Sequence, residues 1–265
     1  MRKYGLLATF ICAPVLFACS DNQSVDTAKA DKDKAVKVES GSNAQAANTQ
    51  VEKHADEAIA SGVDYHSFAN PNEVRVTHLS LDLTANFESK QLIGSVTLDI
   101  ERAKPENDTL VLDTRGLDIQ RVTVDGEDVP FDMGETDPDL GTPLSITLPS
   151  AANSLTVAYS TSPEASGVQW LTPAQTAGKK HPFLFTQAQA VHARSFIPLQ
   201  DSPQVRVTYD ATIKTPEALL AVMSASNDPT TERDGEYEFT MPQPIPSYLI
   251  ALAIGDLEFK ANFLG

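Results

Sequence analysis

The feature that most limits what this chain can become is a repeated two-residue rhythm. Leu79, Leu81 and Leu83 alternate with polar residues, and beyond a turn-like stretch at 86–90 the positions Leu92, Gly94, Val96, Leu98 and Ile100 alternate again. Successive side chains of an extended strand point to opposite faces, so each run describes a strand with one apolar side, and the two together predict a hairpin. Val74 and Val76 have the opposite parity from Leu79. A bulge near His78, or a twist between faces, is needed if all of them are to meet one core.

The same texture continues along the chain. Strands are predicted at 110–112, 118–124, 129–131, 144–148 and 155–159, with Asp125-Gly126 a hairpin turn. After a Pro-, Gly- and Ser-rich interval from Trp170 to Gly178 they resume at 183–190, 205–213, 219–225 and 237–241. The run from Tyr248 to Ile254 is continuously apolar and bounded by Pro246 and Gly255, which predicts a strand buried on both faces, with Pro242, Pro244 and Pro246 holding the approach to it extended. No stretch of helical period competes, and no internal repeat points to a solenoid or propeller. The expected fold is all-β, mainly antiparallel and layered.

Charge narrows the partners. Lys and Arg total 20 against 36 Asp and Glu, a formal charge of -16 over 265 residues. A phosphate backbone requires a basic face, so nucleic acid is excluded as a partner.

The first 18 residues read as an export signal, because Arg2 and Lys3 precede an apolar run from Gly5 to Ala18. That run is shorter than the roughly 20 residues a spanning helix needs. It ends in Leu16-Phe17-Ala18-Cys19, which resembles the bacterial lipobox, so Cys19 is the expected site of lipid attachment. Two or more acyl chains, at about 0.8 kcal/mol per buried methylene, would anchor it stably. Cys12 lies inside the signal and Cys19 would carry lipid, so no disulfide is expected in the mature chain. Residues 19–63 are rich in Ala, Asp, Lys, Asn, Gln, Ser and Thr and carry neither Leu nor aromatic residues before Ser61, which reads as a flexible linker. The folded domain is expected over 64–265. The protein is thus expected to be exported and lipid-anchored to a bacterial membrane, on the periplasmic side or at the outer membrane.

Several stretches then resemble, in order, the N-terminal domain of the gluzincin zinc aminopeptidases, the group that contains aminopeptidase N and leukotriene hydrolase. They are Thr77-His78-Leu79-Ser80-Leu81-Asp82-Leu83, Leu110-Val111-Leu112-Asp113-Thr114 and Gln169-Trp170-Leu171-Thr172-Pro173. Farther on come His181-Pro182-Phe183-Leu184-Phe185-Thr186-Gln187-Ala188-Gln189-Ala190, the stretch from Ala193 to Pro203, and Pro244-Ile245-Pro246-Ser247-Tyr248-Leu249-Ile250-Ala251-Leu252. The Gln-Ala-Gln form and the Gln-Trp-Leu-Thr-Pro stretch bring the chain nearer the leukotriene hydrolase branch.

The resemblance implies a saddle-shaped β domain that hands over to a thermolysin-like catalytic domain bearing G-x-M-E-N and H-E-x-x-H motifs. Neither motif occurs in these 265 residues, and His54, His66, His78, His181 and His192 are never four apart. The reading is therefore a cleft domain of a membrane-anchored zinc aminopeptidase whose catalytic domain is missing here. No catalytic residue, metal ligand or cofactor is expected in this chain, with zinc confined to the missing part, and the partners implied are peptide N-termini and the membrane. Two other readings remain open, a lipid-anchored binding or scaffold module without peptidase activity and a gene fragment.

The resemblance also implies that Gln189, with Gln187 two residues before it on the same strand face, accepts a hydrogen bond from a substrate's free amine; an amide oxygen suits that role. A nucleophilic set of Ser195, His192 and Asp201 is disfavoured, since no G-x-S-x-G elbow surrounds the serine. Asp201, ahead of Ser202-Pro203, reads as a turn residue capping backbone amides. Arg194 is read either as paired with an acid at a domain seam or as solvent-facing, the latter by default, and Trp170 as a core or seam anchor.

Overall fold

The computed structural model describes residues 64–228 and 232–259. The segments read as signal (1–18) and linker (19–63), together with Cys19, lie outside the described residues. Alternation becomes pairing in β1 (Val74–Asn86) and β2 (Gln91–Arg102), which form the expected hairpin with Leu81 opposite Val96 and Leu79 opposite Leu98. The register slips between Val76 and His78. That bulge reverses the parity, so Val74, Val76, Leu79, Leu81 and Leu83 are all buried.

The remaining strands are β3 (Thr109–Thr114), β4 (Asp118–Val124), β5 (Glu127–Asp128), β6 (Phe131–Met133), β7 (Thr142–Thr147), β8 (Ser154–Ser160) and β9 (Val168–Leu171), then β10 (Phe183–Thr186), β11 (Arg206–Lys214), β12 (Leu220–Met223), β13 (Glu236–Pro246) and β14 (Leu252–Gly255). They assemble into a seven-stranded sheet of order β13-β11-β1-β2-β8-β4-β5, a four-stranded sheet of order β12-β14-β10-β9 and a three-stranded sheet of order β3-β7-β6. Among the described residues the only helical pieces are three 3-10 turns. All strand pairs are antiparallel except β1 with β11.

The three sheets share one core. Leu98, Val157 and Phe239 from the large sheet belong to the same buried cluster as Leu112 and Ile146 from the small sheet and Leu184 and Ile254 from the four-stranded one. Burying each such side chain is worth about 1.5–3 kcal/mol. Three tyrosines of the large sheet reach out of this core to polar partners: Tyr159 donates to the Phe196 carbonyl at 2.9 Å, Tyr237 to the Leu219 carbonyl at 2.8 Å, and Tyr209 bonds the Ser224 hydroxyl at 3.0 Å. Burial raises the pKa of the Tyr159 hydroxyl well above its usual range, which keeps it a neutral donor.

The structure departs from the sequence expectations at several strands. The run from Tyr248 to Ile254 is not one buried strand: Ser247–Leu249 is a 3-10 turn, Leu249 is 49% exposed and Ala251 is exposed, and only Leu252–Gly255 pairs. The preceding prolines lie inside β13 itself, at the outer edge of the large sheet, where a missing N–H leaves no ladder bond unmade. Val168–Leu171, whose second half fell at the start of the turn-rich interval, is strand β9, and the strand read over 129–131 is displaced to either side of Pro130 as β5 and β6. Finally, the strand read over 183–190 stops at Thr186, so Gln187 and Gln189 lie beyond it.

Candidate functional site

The glutamines follow directly on β10 of the four-stranded sheet. The inner face of this sheet buries Leu184, Thr186, Leu252 and Ile254. Its outer face holds Leu171 opposite Phe183, and Phe185 opposite Ala253, which in turn faces Val222 on β12. All five are half-buried, and none of them packs on the central core. The Phe183 and Phe185 rings lie 5.9 Å apart between centroids. Phe183 can lie against its neighbour strand because residue 255 is glycine: a Cβ there would stand 2.4 Å from the Phe183 ring. The row continues into a cleft of about 380 Å³ lined by Leu171, Thr176, His181, Phe183 and Leu257.

Where β10 ends, alternation survives without pairing: Gln187 and Gln189 are exposed and Ala188 between them is buried. Neither glutamine amide hydrogen-bonds to a described residue, and the Gln189–Ala190 peptide bond is cis. The backbone beneath them is held by a closed circuit. The Gln187 N–H donates to the Gly167 carbonyl at 2.9 Å, the Gly167 N–H to the Ser195 hydroxyl at 2.9 Å, that hydroxyl to the His192 carbonyl at 2.7 Å, and the His192 N–H to the Ala188 carbonyl at 2.8 Å. Gly167 has no room for a side chain, since a Cβ would sit 2.7 Å from the His192 carbonyl and 2.8 Å from the Ser195 hydroxyl.

The circuit ends on a buried ion cluster. Arg194, expected in solvent, is 0% exposed. Its Nε donates to Asp201 Oδ2 at 3.1 Å, Nη1 to the Leu140 carbonyl at 2.8 Å, and Nη2 to the His66 carbonyl at 2.7 Å and the Asp201 carbonyl at 3.1 Å. Asp113 stands 3.8 Å from Nη1 and accepts from the Ser67 hydroxyl at 2.5 Å, the Phe68 N–H at 2.7 Å and the Asp201 N–H at 2.8 Å. Desolvation pushes the Asp113 carboxyl above its ordinary range, against the pull of Arg194 and these donors. Asp201 does cap a backbone amide, that of Arg194, but it is 1% exposed and also accepts from the Ser247 hydroxyl at 2.6 Å. Default exposure failed for Arg194 because partners 81 residues before it and 7 after it supply the compensation a buried charge needs. The sequence hint was a lone cation within a run that is otherwise Ala, Ser, Phe, Ile, Pro and Leu.

Ser195, His192 and Asp201 form no nucleophilic set. The serine hydroxyl bonds the histidine's carbonyl rather than its ring, and His192 Nδ1 is 3.0 Å from the Ser166 hydroxyl. Trp170 is half-buried and meets Phe87 edge-on at 5.2 Å, as a seam anchor would. Among the described residues no three His, Cys, Asp or Glu converge as metal ligands.

Residues 75–249 match the peptidase M1 N-terminal domain. The chain is 41% identical over 205 residues to leukotriene A-4 hydrolase of Xenopus laevis, covering 74% of this chain and 34% of that protein. It is likewise 41% identical over 202 residues to leucine aminopeptidase 2 of Yarrowia lipolytica, covering 74% of this chain and 30% of that one. Among solved structures, yeast LTA4 hydrolase in complex with bestatin superposes with a TM-score of 0.69 at 35% identity, over 74% of this chain and 31% of the other. An M1 zinc metallopeptidase from Deinococcus radiodurans shares the fold with a TM-score of 0.56 at 24% identity, over 72% of this chain and 44% of its own. The chain thus spans about a third of the length of the curated relatives it matches.

Proposed function

The chain belongs to the peptidase M1 N-terminal domain family, and from that premise we propose that it forms one wall of the substrate cleft in a leukotriene hydrolase-like zinc aminopeptidase that removes N-terminal residues from peptides. The observation that carries the reading is the pair of exposed amides of Gln187 and Gln189, without partners among the described residues, on a turn whose backbone is bonded at Gln187, Ala188 and His192. An amide oxygen with no bond inside the described domain can accept from an ammonium group without first breaking an internal bond, and the held backbone beneath it limits what must be ordered to the side chain itself. Gln189, the second of the pair, is assigned to the substrate's free amine. The half-buried apolar row of Leu171, Phe183, Phe185, Val222 and Ala253 is the surface against which the remaining part of such an enzyme would pack, keeping water from the cleft.

Zinc finds no donor set among the described residues. The contribution proposed for this chain is therefore binding and orientation, with bond cleavage carried out elsewhere in the enzyme. In the full-length protein, Gln189→Ala is expected to raise KM for an aminoacyl anilide about tenfold or more, the worth of a hydrogen bond to a charged group. An unchanged KM would remove the assignment.

The sequence also supports an exported protein held at a bacterial membrane by a lipid on Cys19, with 19–63 as spacer. Cys19→Ser is expected to move the protein from the membrane pellet to the soluble fraction. Retention of that variant in the pellet would contradict the anchor.

A further inference from the structure

We infer that Arg194 is the positioning residue of the amine-binding turn: it never touches substrate, but its buried socket fixes the backbone from which the Gln189 side chain leaves. The inference rests on the cleft reading above and extends it to a residue that lies inside the domain.

The turn from Gln187 to His192 has two kinds of fastening. On its own side it is closed by the circuit through Gly167 and Ser195. That circuit would drift as a unit if nothing held Ser195, and the neighbouring Arg194 does so. The 3-10 turn Ala193–Ser195 is entirely buried, and the Arg194 backbone bonds at both ends, its N–H to Asp201 Oδ2 at 3.2 Å and its carbonyl to the Arg115 N–H at 2.8 Å. The guanidinium then makes four hydrogen bonds to three separate stretches of chain, at His66, Leu140 and Asp201. Asp113 closes the socket by gathering Ser67, Phe68 and Asp201 around the same cation.

A planar fork of donors fixes orientation as well as place, which a point charge on a flexible stem cannot do. The residues in contact with substrate need their supports locked to within about half an ångström. Arg194 supplies that lock through bonds that Gln189 itself does not share, so the amide stays free for a ligand while its base is rigid. The same geometry makes residues 66–68, just before β1, one side of the socket.

The test is made on the full-length enzyme with Arg194→Lys, which keeps the cation but loses the fork. The expected result is a KM for an aminoacyl anilide raised about tenfold with kcat changed by less than about threefold, and faster amide exchange confined to 187–195. Combined with Gln189→Ala, the lysine variant is expected to raise KM no further than Gln189→Ala alone, because the two act on one interaction. A wild-type KM, or a loss that multiplies fully with that of Gln189→Ala, would overturn the inference and leave Arg194 a purely structural residue. If Arg194→Lys does not fold, Ser195→Ala, which opens the circuit without touching the charges, is read by the same two criteria. If Gln189→Ala alone leaves KM unchanged, the amine assignment fails, and the exchange pattern still decides whether Arg194 holds the turn.

Discussion

The seven-stranded and four-stranded sheets both bury one face in the common core, but their outward faces are opposites. Outward on the large sheet stand Ser80, Asp82, Ser95, Thr97, Thr156, Thr208, Asp210 and Thr212, and many of them bond one another. Thr97 and Thr156 meet across strands at 2.9 Å, His78 bridges Thr208 at 2.7 Å and Asp210 at 2.8 Å, and Lys214 reaches Asp82 at 2.8 Å. That face satisfies many of its own polar groups. Outward on the smaller sheet stand Leu171, Phe183, Phe185, Val222 and Ala253, apolar side chains that lie outside the buried core cluster of the described residues. A polar, internally bonded face needs no cover, whereas a contiguous apolar row beside two amides with no partner among the described residues is the side proposed to turn toward other protein and substrate.

The largest expected effect comes from the buried ion cluster beneath the glutamine turn. Arg194→Met leaves the Asp113 and Asp201 carboxyl groups facing each other without their cation, and a loss of about 3–5 kcal/mol is expected, enough to unfold the domain in a urea titration. A fully stable Arg194→Met variant would break the claim that this cluster underpins the site.

Within the four-stranded sheet, adjacent residues should separate cleanly. Leu184→Ala empties a fully buried position and should cost about 2–5 kcal/mol in thermal or urea unfolding. Phe185→Ala, one residue on and facing outward, should cost only about 1 kcal/mol in this 265-residue chain, chiefly the lost ring contact with Phe183. Equal losses would mean the outward row is core after all.

The smallest effect depends on pH. Because burial raises the folded-state pKa of Asp113, this group contributes stability that is fully present below its unfolded pKa of about 3.9 and is lost as pH rises through the folded value. Measured by urea unfolding, the stability of the wild type relative to Asp113→Asn should therefore be greater near pH 4 than near pH 7. A difference that grows with pH instead would show that Arg194 and the surrounding donors outweigh desolvation.

The contrast also explains what could be read beforehand. The β1–β2 hairpin, the slip beside His78 and the limits of β4 follow from nearest-neighbour alternation. The Asp125-Gly126 turn follows from local chemistry, with φ of 52° and 84° at its two central residues, where glycine is at ease and aspartate is tolerated. The glutamines were legible as exposed neighbours of one side through the same alternation, but their release from β10 was not, because it depends on the circuit through Gly167 and Ser195. Burial of Arg194 was hidden for a related reason: its compensation comes from His66, Asp113 and Leu140, residues brought close only by the tertiary fold. The parallel β1–β11 pair likewise joins strands separated by most of the domain, beyond the reach of any local pattern. The 248–254 run misled because apolar composition alone does not distinguish a buried strand from a turn that exposes Leu249 on the outside.

The most direct test is a crystal structure of the full-length protein with a bound free-amine peptide. The account predicts the peptide's terminal nitrogen within about 2.7–3.2 Å of Gln189 Oε1, with the Phe183 and Phe185 rings covered by the remainder of the chain. A peptide nitrogen bound far from Gln189, with those rings open to solvent, would contradict it.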